Sequence, residues 1–100
     1  MEAIVTSNPN PSEVLDLASA FDRDYYLTRY PDVATAGCDP IWHYCVHGWR
    51  EGRNPCAEFD TLYYLRTYTD IAEAGINPFW HYVVSGKAEG RAARPILAAV

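Results

Sequence analysis

FDRDYYLTRYPDVATAGCDPIWHYCVHGWREGR, residues 21–53, returns as FDTLYYLRTYTDIAEAGINPFWHYVVSGKAEGR over residues 59–91. The two stretches align without a gap at an offset of 38, and 19 of the 33 positions are identical. A period of that length marks a tandem structural repeat. Duplication also allows residues to be weighed. A side chain kept in both copies serves the unit, and one present in a single copy does not.

Each copy opens on Phe-Asp, which makes Asp22 and Asp60 natural N-caps for helices through Tyr25–Tyr30 and Tyr63–Tyr68. A second short helix in each copy ends at Gly37 or Gly75, the residue suited to a left-handed C-cap. Asp39-Pro40 and Asn77-Pro78 then restart the chain as N-cap plus first-turn proline. In the third segment, positions 41, 44, 45 and 48 fall on one helical stripe, Ile-Tyr-Cys-Gly against Phe-Tyr-Val-Gly, and read as the core face. Gly48 and Gly52, with Gly86 and Gly90, read as helix breakers. No stretch alternates like a strand.

The expected fold is therefore all-α: two tandem helical repeats of about 38 residues with a short N-terminal capping helix. The expected organisation is a flexible arm over 1–9 and a single domain over 10–95. Within it lie a capping helix at 11–20 over the open end of the stack, repeat one at 21–55 and repeat two at 59–93. Residues 96–100 form an apolar tail. That tail either folds back as a cap or docks on another chain, and Ile96, Leu97 and Val100 are its candidate interface residues.

Composition narrows the function. The chain has 100 residues, a net charge of -5 and 14% aromatics. Its eight basic residues form no run, so the phosphate-binding stripe expected of a nucleic-acid binder is missing. The opening residues lack the basic and apolar regions of a secretory signal, and no segment approaches the ~20 apolar residues of a membrane span. The three cysteines have no cysteine counterparts in the second copy, so no disulfide framework is expected.

His43 and His47 are four apart, and Cys38, Cys45 and Cys56 are near them, a composition that can hold zinc. The second copy keeps only His81, with Ser85 at the position of His47, so position 43 has a purpose that needs no other ligand. A structural histidine is the preferred reading, with no metal and no cofactor. Cys45 and His47 are the one nucleophile–base pair in sequence, but their i, i+2 spacing points them apart on a helix, and no phosphate loop is present. No enzyme activity is expected.

Asp22, Asp32, Glu51 and Arg53 are echoed by Asp60, Asp70, Glu89 and Arg91. The preferred reading makes the first two positions N-caps and the others ion pairs tying each unit's end to its start. The sharper alternative makes Arg53 and Arg91 anion-recognition points. Trp42, Trp49 and Trp80 fall at or beyond the margin of the core stripe, beside His43 and His81. Flat rings with hydrogen-bonding neighbours suit sugars and protein interfaces alike. Trp42 and Trp80 are read as core or ligand-facing. Trp49, replaced by Lys87 in the second copy, is expected to be exposed.

The pattern FDxxYYLxxYxDVAxAGxxPxxHYxxxGxxEGR, over 21–55 and 59–91, resembles a bacterial tandem repeat. That repeat is often appended to glycosyltransferases and polysaccharide-related proteins, or set beside repeat modules in large surface or secreted chains. The resemblance implies an accessory role around cell-surface glycans and no catalytic role of its own; Thr69 and Ile71 depart from the pattern. The expected function is a non-catalytic binding module for bacterial surface polysaccharide, as a small surface or phage-like particle-associated protein. The alternative is a structural or adaptor protein, a homo-oligomer or subunit of a larger assembly.

Overall fold

A computed structural model describes residues 11–95. The arm over 1–9, the Asn10 cap and the tail with Ile96, Leu97 and Val100 lie outside the described residues. Over that range the chain is all-α, with seven α-helices and no strand: α1 Pro11–Leu17, α2 Arg23–Arg29, α3 Pro31–Ala36, α4 Pro40–Val46, α5 Thr61–Thr67, α6 Thr69–Ala74 and α7 Pro78–His81. A 3-10 turn, Gly48–Glu51, follows α4, and a π turn, Tyr82–Gly86, continues α7.

Local chemistry sets these boundaries. Asp22 and Asp60 accept the Tyr25 and Tyr63 amides at 2.9 and 3.0 Å. Such caps satisfy amides that the first helical turn leaves without partners. α3 and α6 stop where Gly37 and Gly75 take φ of 73° and 69°, a conformation that costs other residues a Cβ clash. At α7, Asn77 accepts from the Phe79 and Trp80 amides. Its counterpart Asp39 makes no side-chain cap, contrary to expectation, because its carboxylate is drawn to Arg23 at 2.7 Å. The charge–charge bond outcompetes the amide.

α2, α3 and α4 pack on one another, and α5, α6 and α7 do the same. The expected stripe is buried in α4, through Ile41, Tyr44, Cys45 and Gly48. In the second copy Phe79 and Gly86 are buried, while Tyr82 and Val83 are only half so. α1 is three residues shorter than the expected 11–20 helix, since Ala18–Ala20 form a turn. It packs against both α4 and α7. Glu13 accepts from Asn77 Nδ2 at 3.3 Å and Asp16 from Trp80 Nε1 at 3.0 Å. α1 thus bridges the two copies of the sequence, with Leu17 fully buried beneath it.

Gly48 and Gly86 have a role that helix breaking does not describe. A Cβ on either would collide with a tyrosine hydroxyl, Tyr26 in one case and Tyr64 in the other. Both rings are fully buried. Glycine is required here for close approach of a side chain to the backbone.

Candidate functional site

The paired histidines are held by those same tyrosines. Tyr26 Oη lies 2.7 Å from His43 Nδ1, and Tyr64 Oη lies 2.9 Å from His81 Nδ1. Burial raises the Tyr26 phenol well above its ordinary value, and the Tyr64 phenol is pushed up to about 12 by the same cause. His43 is held below the usual imidazole value, first by burial and then by the positive charge of Arg53. Tyr26 therefore keeps its proton and donates it to a neutral ring. His43 is a structural acceptor. Among the described residues no three His, Cys, Asp or Glu side chains group closely enough to hold a metal ion.

Arg53 and Arg91 are engaged in the same way. Arg53 forms a bidentate pair with Asp32 at 2.9 and 2.8 Å, and its Nε reaches Glu51 at 2.9 Å. Arg91 repeats this with Asp70 at 3.1 Å and Glu89 at 2.8 Å. Each guanidinium also lies over a ring, Tyr30 at 4.9 Å or Tyr68 at 4.8 Å. Hydrogen bonds from the arginines hold both Asp carboxyls below their usual range. Asp32 and Asp70 are thus ion-pair partners inside the first turns of α3 and α6, where N-caps were expected. With three donors and one face of each guanidinium taken, the arginines serve the fold before any anion.

The rings at 30 and 68 carry a further shared bond. Tyr30 Oη accepts the Asn54 amide at 2.9 Å, and Tyr68 Oη accepts the Ala92 amide at 2.7 Å. The chain after each arginine is also tied to the start of its own copy: the Asp22 amide donates to the Pro55 carbonyl, and the Asp60 amide to that of Ala93.

The three tryptophans sit in three different settings. Trp49 is buried, with 8% of its surface exposed, against the expectation from its replacement by Lys87. Its Nε1 donates to the Cys45 carbonyl at 3.1 Å, a group left without a helical partner when α4 ends. Trp80 is half-buried and bonded to Asp16 of α1. Trp42 is half-buried and meets the exposed His47 ring edge-on at 5.4 Å. Arg50, exposed, donates to the Val46 carbonyl at 2.8 Å and covers the Trp49 ring at 4.4 Å. Trp42, His47 and Arg50 thus share the outer edge at the C-terminal end of α4. Ser85 and Ala88 stand at the matching positions of the second copy, so this edge occurs once.

Cys45 and His47 do not meet as nucleophile and base. The thiol is buried and pushed up to about 12 by that burial, while the imidazole is exposed. Cys56 is raised by burial too. Neither has the electropositive, accessible setting of a reactive thiolate.

Sequence reasoning did not single out Thr61. It is fully buried and links the two copies: Oγ1 donates to the Arg53 carbonyl at 2.6 Å, Tyr44 Oη lies 2.9 Å from Oγ1, and the Thr61 amide donates to Asn54 Oδ1 at 2.8 Å. The signal was present as a departure from the repeat, since Arg23 stands at the same register in the first copy. No protein-family model matches the chain, and no curated protein or solved structure is significantly similar to it.

Proposed function

We propose that this chain is a non-catalytic binding module made of two tandem helical units of about 38 residues, displaying surfaces that occur once. One observation carries this reading. The polar groups kept in both copies are consumed in matching internal bonds: Tyr–His, Arg–Asp–Glu, Asp cap and Tyr to backbone. What the duplication retains is mostly scaffold, and recognition falls to the edge where the unduplicated His47 and Arg50 join Trp42.

The Trp42–His47–Arg50 edge is the surface that best suits bacterial polysaccharide. A partly open indole supplies a flat face for a sugar ring, the imidazole a hydrogen-bonding neighbour, and the guanidinium a charge for acidic sugars. His43, His81, Arg53 and Arg91 position the scaffold in this reading, and Trp80 pins α1. The binding test is calorimetric titration against a panel of purified bacterial capsular and wall polysaccharides. Binding by the native chain, lost on Trp42→Ala and kept on Trp80→Phe, is the expected pattern. A folded chain that binds no member of the panel overturns the polysaccharide assignment.

The second reading, a structural or adaptor protein, draws on the exposed apolar side chains of Leu15 on α1, 76% open, and Leu62 on α5, 42% open. Sedimentation of the native chain against Leu15→Ser/Leu62→Ser tests it. A stable assembly that dissociates in the variant favours this reading, and a monomer in both removes its self-associating form.

A further inference from the structure

The arginines divide by what holds them. Arg23 is paired with Asp39, and Arg53 and Arg91 each with an Asp and a Glu. Arg50 is fixed without a carboxylate. Its Nη1 donates to the Val46 carbonyl at 2.8 Å, and its guanidinium lies over the Trp49 ring at 4.4 Å. The adjacent carboxylate in sequence, Glu51, is held by Arg53 at 2.9 Å. Arg29 and Arg94 also lack an acidic partner among the described residues, but each has a single longer contact, at 5.3 Å to the Tyr30 ring and 3.4 Å to the Ala57 carbonyl. Arg50 is thus a positioned cation whose charge is not neutralised within the described fold.

Two anchors on a planar cation leave a defined remainder. Trp49 covers one face and the Val46 carbonyl takes Nη1, while Nε and Nη2 make no hydrogen bond among the described residues. The residue is exposed, so this Nε–Nη2 edge faces solvent. It is the fork that binds two oxygens of one anion side by side. Because the side chain is already held, less of its freedom is lost on binding. His47 stands next to it, its carbonyl accepting the Arg50 amide at 3.1 Å. The exposed His47 ring meets Trp42 edge-on, so an indole, an imidazole and an open guanidinium fork follow one another along the edge. The second copy completes the same Asp–Arg–Glu network with Ala88 at this position and no cation.

We infer that this edge selects acidic over neutral sugars, seating the oxyanion of a uronate or a sugar phosphate on the Arg50 Nε–Nη2 edge with the sugar ring against Trp42. The inference rests on the polysaccharide reading above and names the sugar class within it. The net charge of the chain is -5, so its overall field repels an anionic polymer. Selection of an acid therefore falls to a local contact of defined geometry, which the held guanidinium supplies. A lysine at the same position would carry the charge but not the two parallel donors.

The test follows the Arg50 Nε–H and Trp42 Nε1–H signals of the full isotope-labelled chain during titration with glucuronate, a glucose phosphate and glucose. Both signals should move together with at least one of the acids and stay still with glucose at the same concentration. Movement with glucuronate alone assigns a carboxylate, and movement with the phosphate as well assigns an oxyanion of either kind. Arg50→Gln, with its spectrum dispersed elsewhere to show that the fold persists, should weaken binding about tenfold, and Arg50→Lys should not restore it. Glucose that moves Trp42 as strongly as the acids overturns the inference and leaves the polysaccharide reading standing. Acids that move Arg50 without Trp42 reduce the site to a bare anion contact and overturn it too, as does a chain that responds to none of the three. A polysaccharide panel without any ligand is a separate result, and it removes the reading beneath.

Discussion

α4 and α7 start alike and end differently. Each begins with a first-turn proline and places a tryptophan and a histidine in the same register, and each is followed two turns later by a glycine beneath a tyrosine hydroxyl. In the first copy the backbone breaks at His47, with φ at -123°, and tightens into the 3-10 turn. Side chains then take the carbonyls the helix abandons, Trp49 at Cys45 and Arg50 at Val46. In the second copy, Ala88 has no side-chain donor and the Lys87 side chain makes no such bond. The chain stays helical through Gly86 and loosens into a π turn, with the Lys87 amide donating to the Tyr82 carbonyl at 2.9 Å. Two side chains thus decide how a helix of otherwise matching sequence satisfies its last carbonyls.

The largest expected effect follows from exchanging those side chains. Trp49→Lys removes a buried indole and its hydrogen bond, and should cost about 3 kcal/mol in urea unfolding, within the range for truncating a core aromatic. Lys87→Trp should return far less, because the second copy already satisfies its carbonyl through the backbone. Equal and opposite changes would mean that indole burial alone separates the copies and that the mode of helix ending is incidental.

Next come the glycines. Gly48→Ala drives a methyl group into the Tyr26 hydroxyl and should cost about 2 kcal/mol, the usual scale of overpacking. Gly86→Ala drives a methyl group into the Tyr64 hydroxyl, whose ring is buried as completely as that of Tyr26, and should cost about the same. Removing the hydroxyl should relieve the clash, so Gly48→Ala with Tyr26→Phe should be less destabilised than the two single changes added. Strict additivity would show that the hydroxyl is not what demands glycine.

How much of this was legible depended on whether a residue's role is local. The Asp22 and Asp60 caps and the left-handed Gly37 and Gly75 follow from neighbours within one turn, and the sequence displays them. The α4 stripe follows from periodicity and is buried as expected. Replacement of Trp49 by lysine suggests a solvated position, whereas the indole is buried and donates to the Cys45 carbonyl where α4 ends. Asp39 was misread because its competitor, Arg23, lies 16 residues away in sequence. Gly48 and Gly86 look like terminators until Tyr26 and Tyr64 are brought over them. For the candidate site, duplication separated scaffold from the rest. It could not say that the unduplicated His47 and Arg50 share an edge with Trp42, and that required the turn after α4.

The junction offers a smaller effect. Thr61→Val keeps the shape but leaves the Arg53 carbonyl and the Tyr44 hydroxyl without their partner, and should cost about 1–3 kcal/mol. Tyr82→Phe, at the matching hydroxyl of the second copy, should stay within about 0.5 kcal/mol, since Tyr82 is partly solvated. If Tyr82→Phe costs as much as Tyr44→Phe, the two ends are closed equally well and the contrast between them is lost.

The smallest effect lies in pH. Burial and the nearby Arg53 charge hold His43 below its unfolded value of about 6.5, so the unfolded chain binds a proton at this site more readily than the folded one. The stability this provides is fully present above pH 6.5 and is lost as pH falls through the folded value. Asp32 and Asp70, held low by their arginines, act in the same sense but in a lower window, with stability lost as pH falls below about 3.8. The His43 contribution can therefore be isolated by comparing thermal unfolding of the native chain and His43→Gln between pH 8 and about 5. The difference in Tm between them should narrow as pH falls, because only the native chain must retain an unprotonated ring against Tyr26. A difference that stays constant across that range would mean that protonating His43 leaves its bond to Tyr26 intact, so that Nδ1–H donates to the Tyr26 oxygen and the tautomer assigned to the pair is reversed.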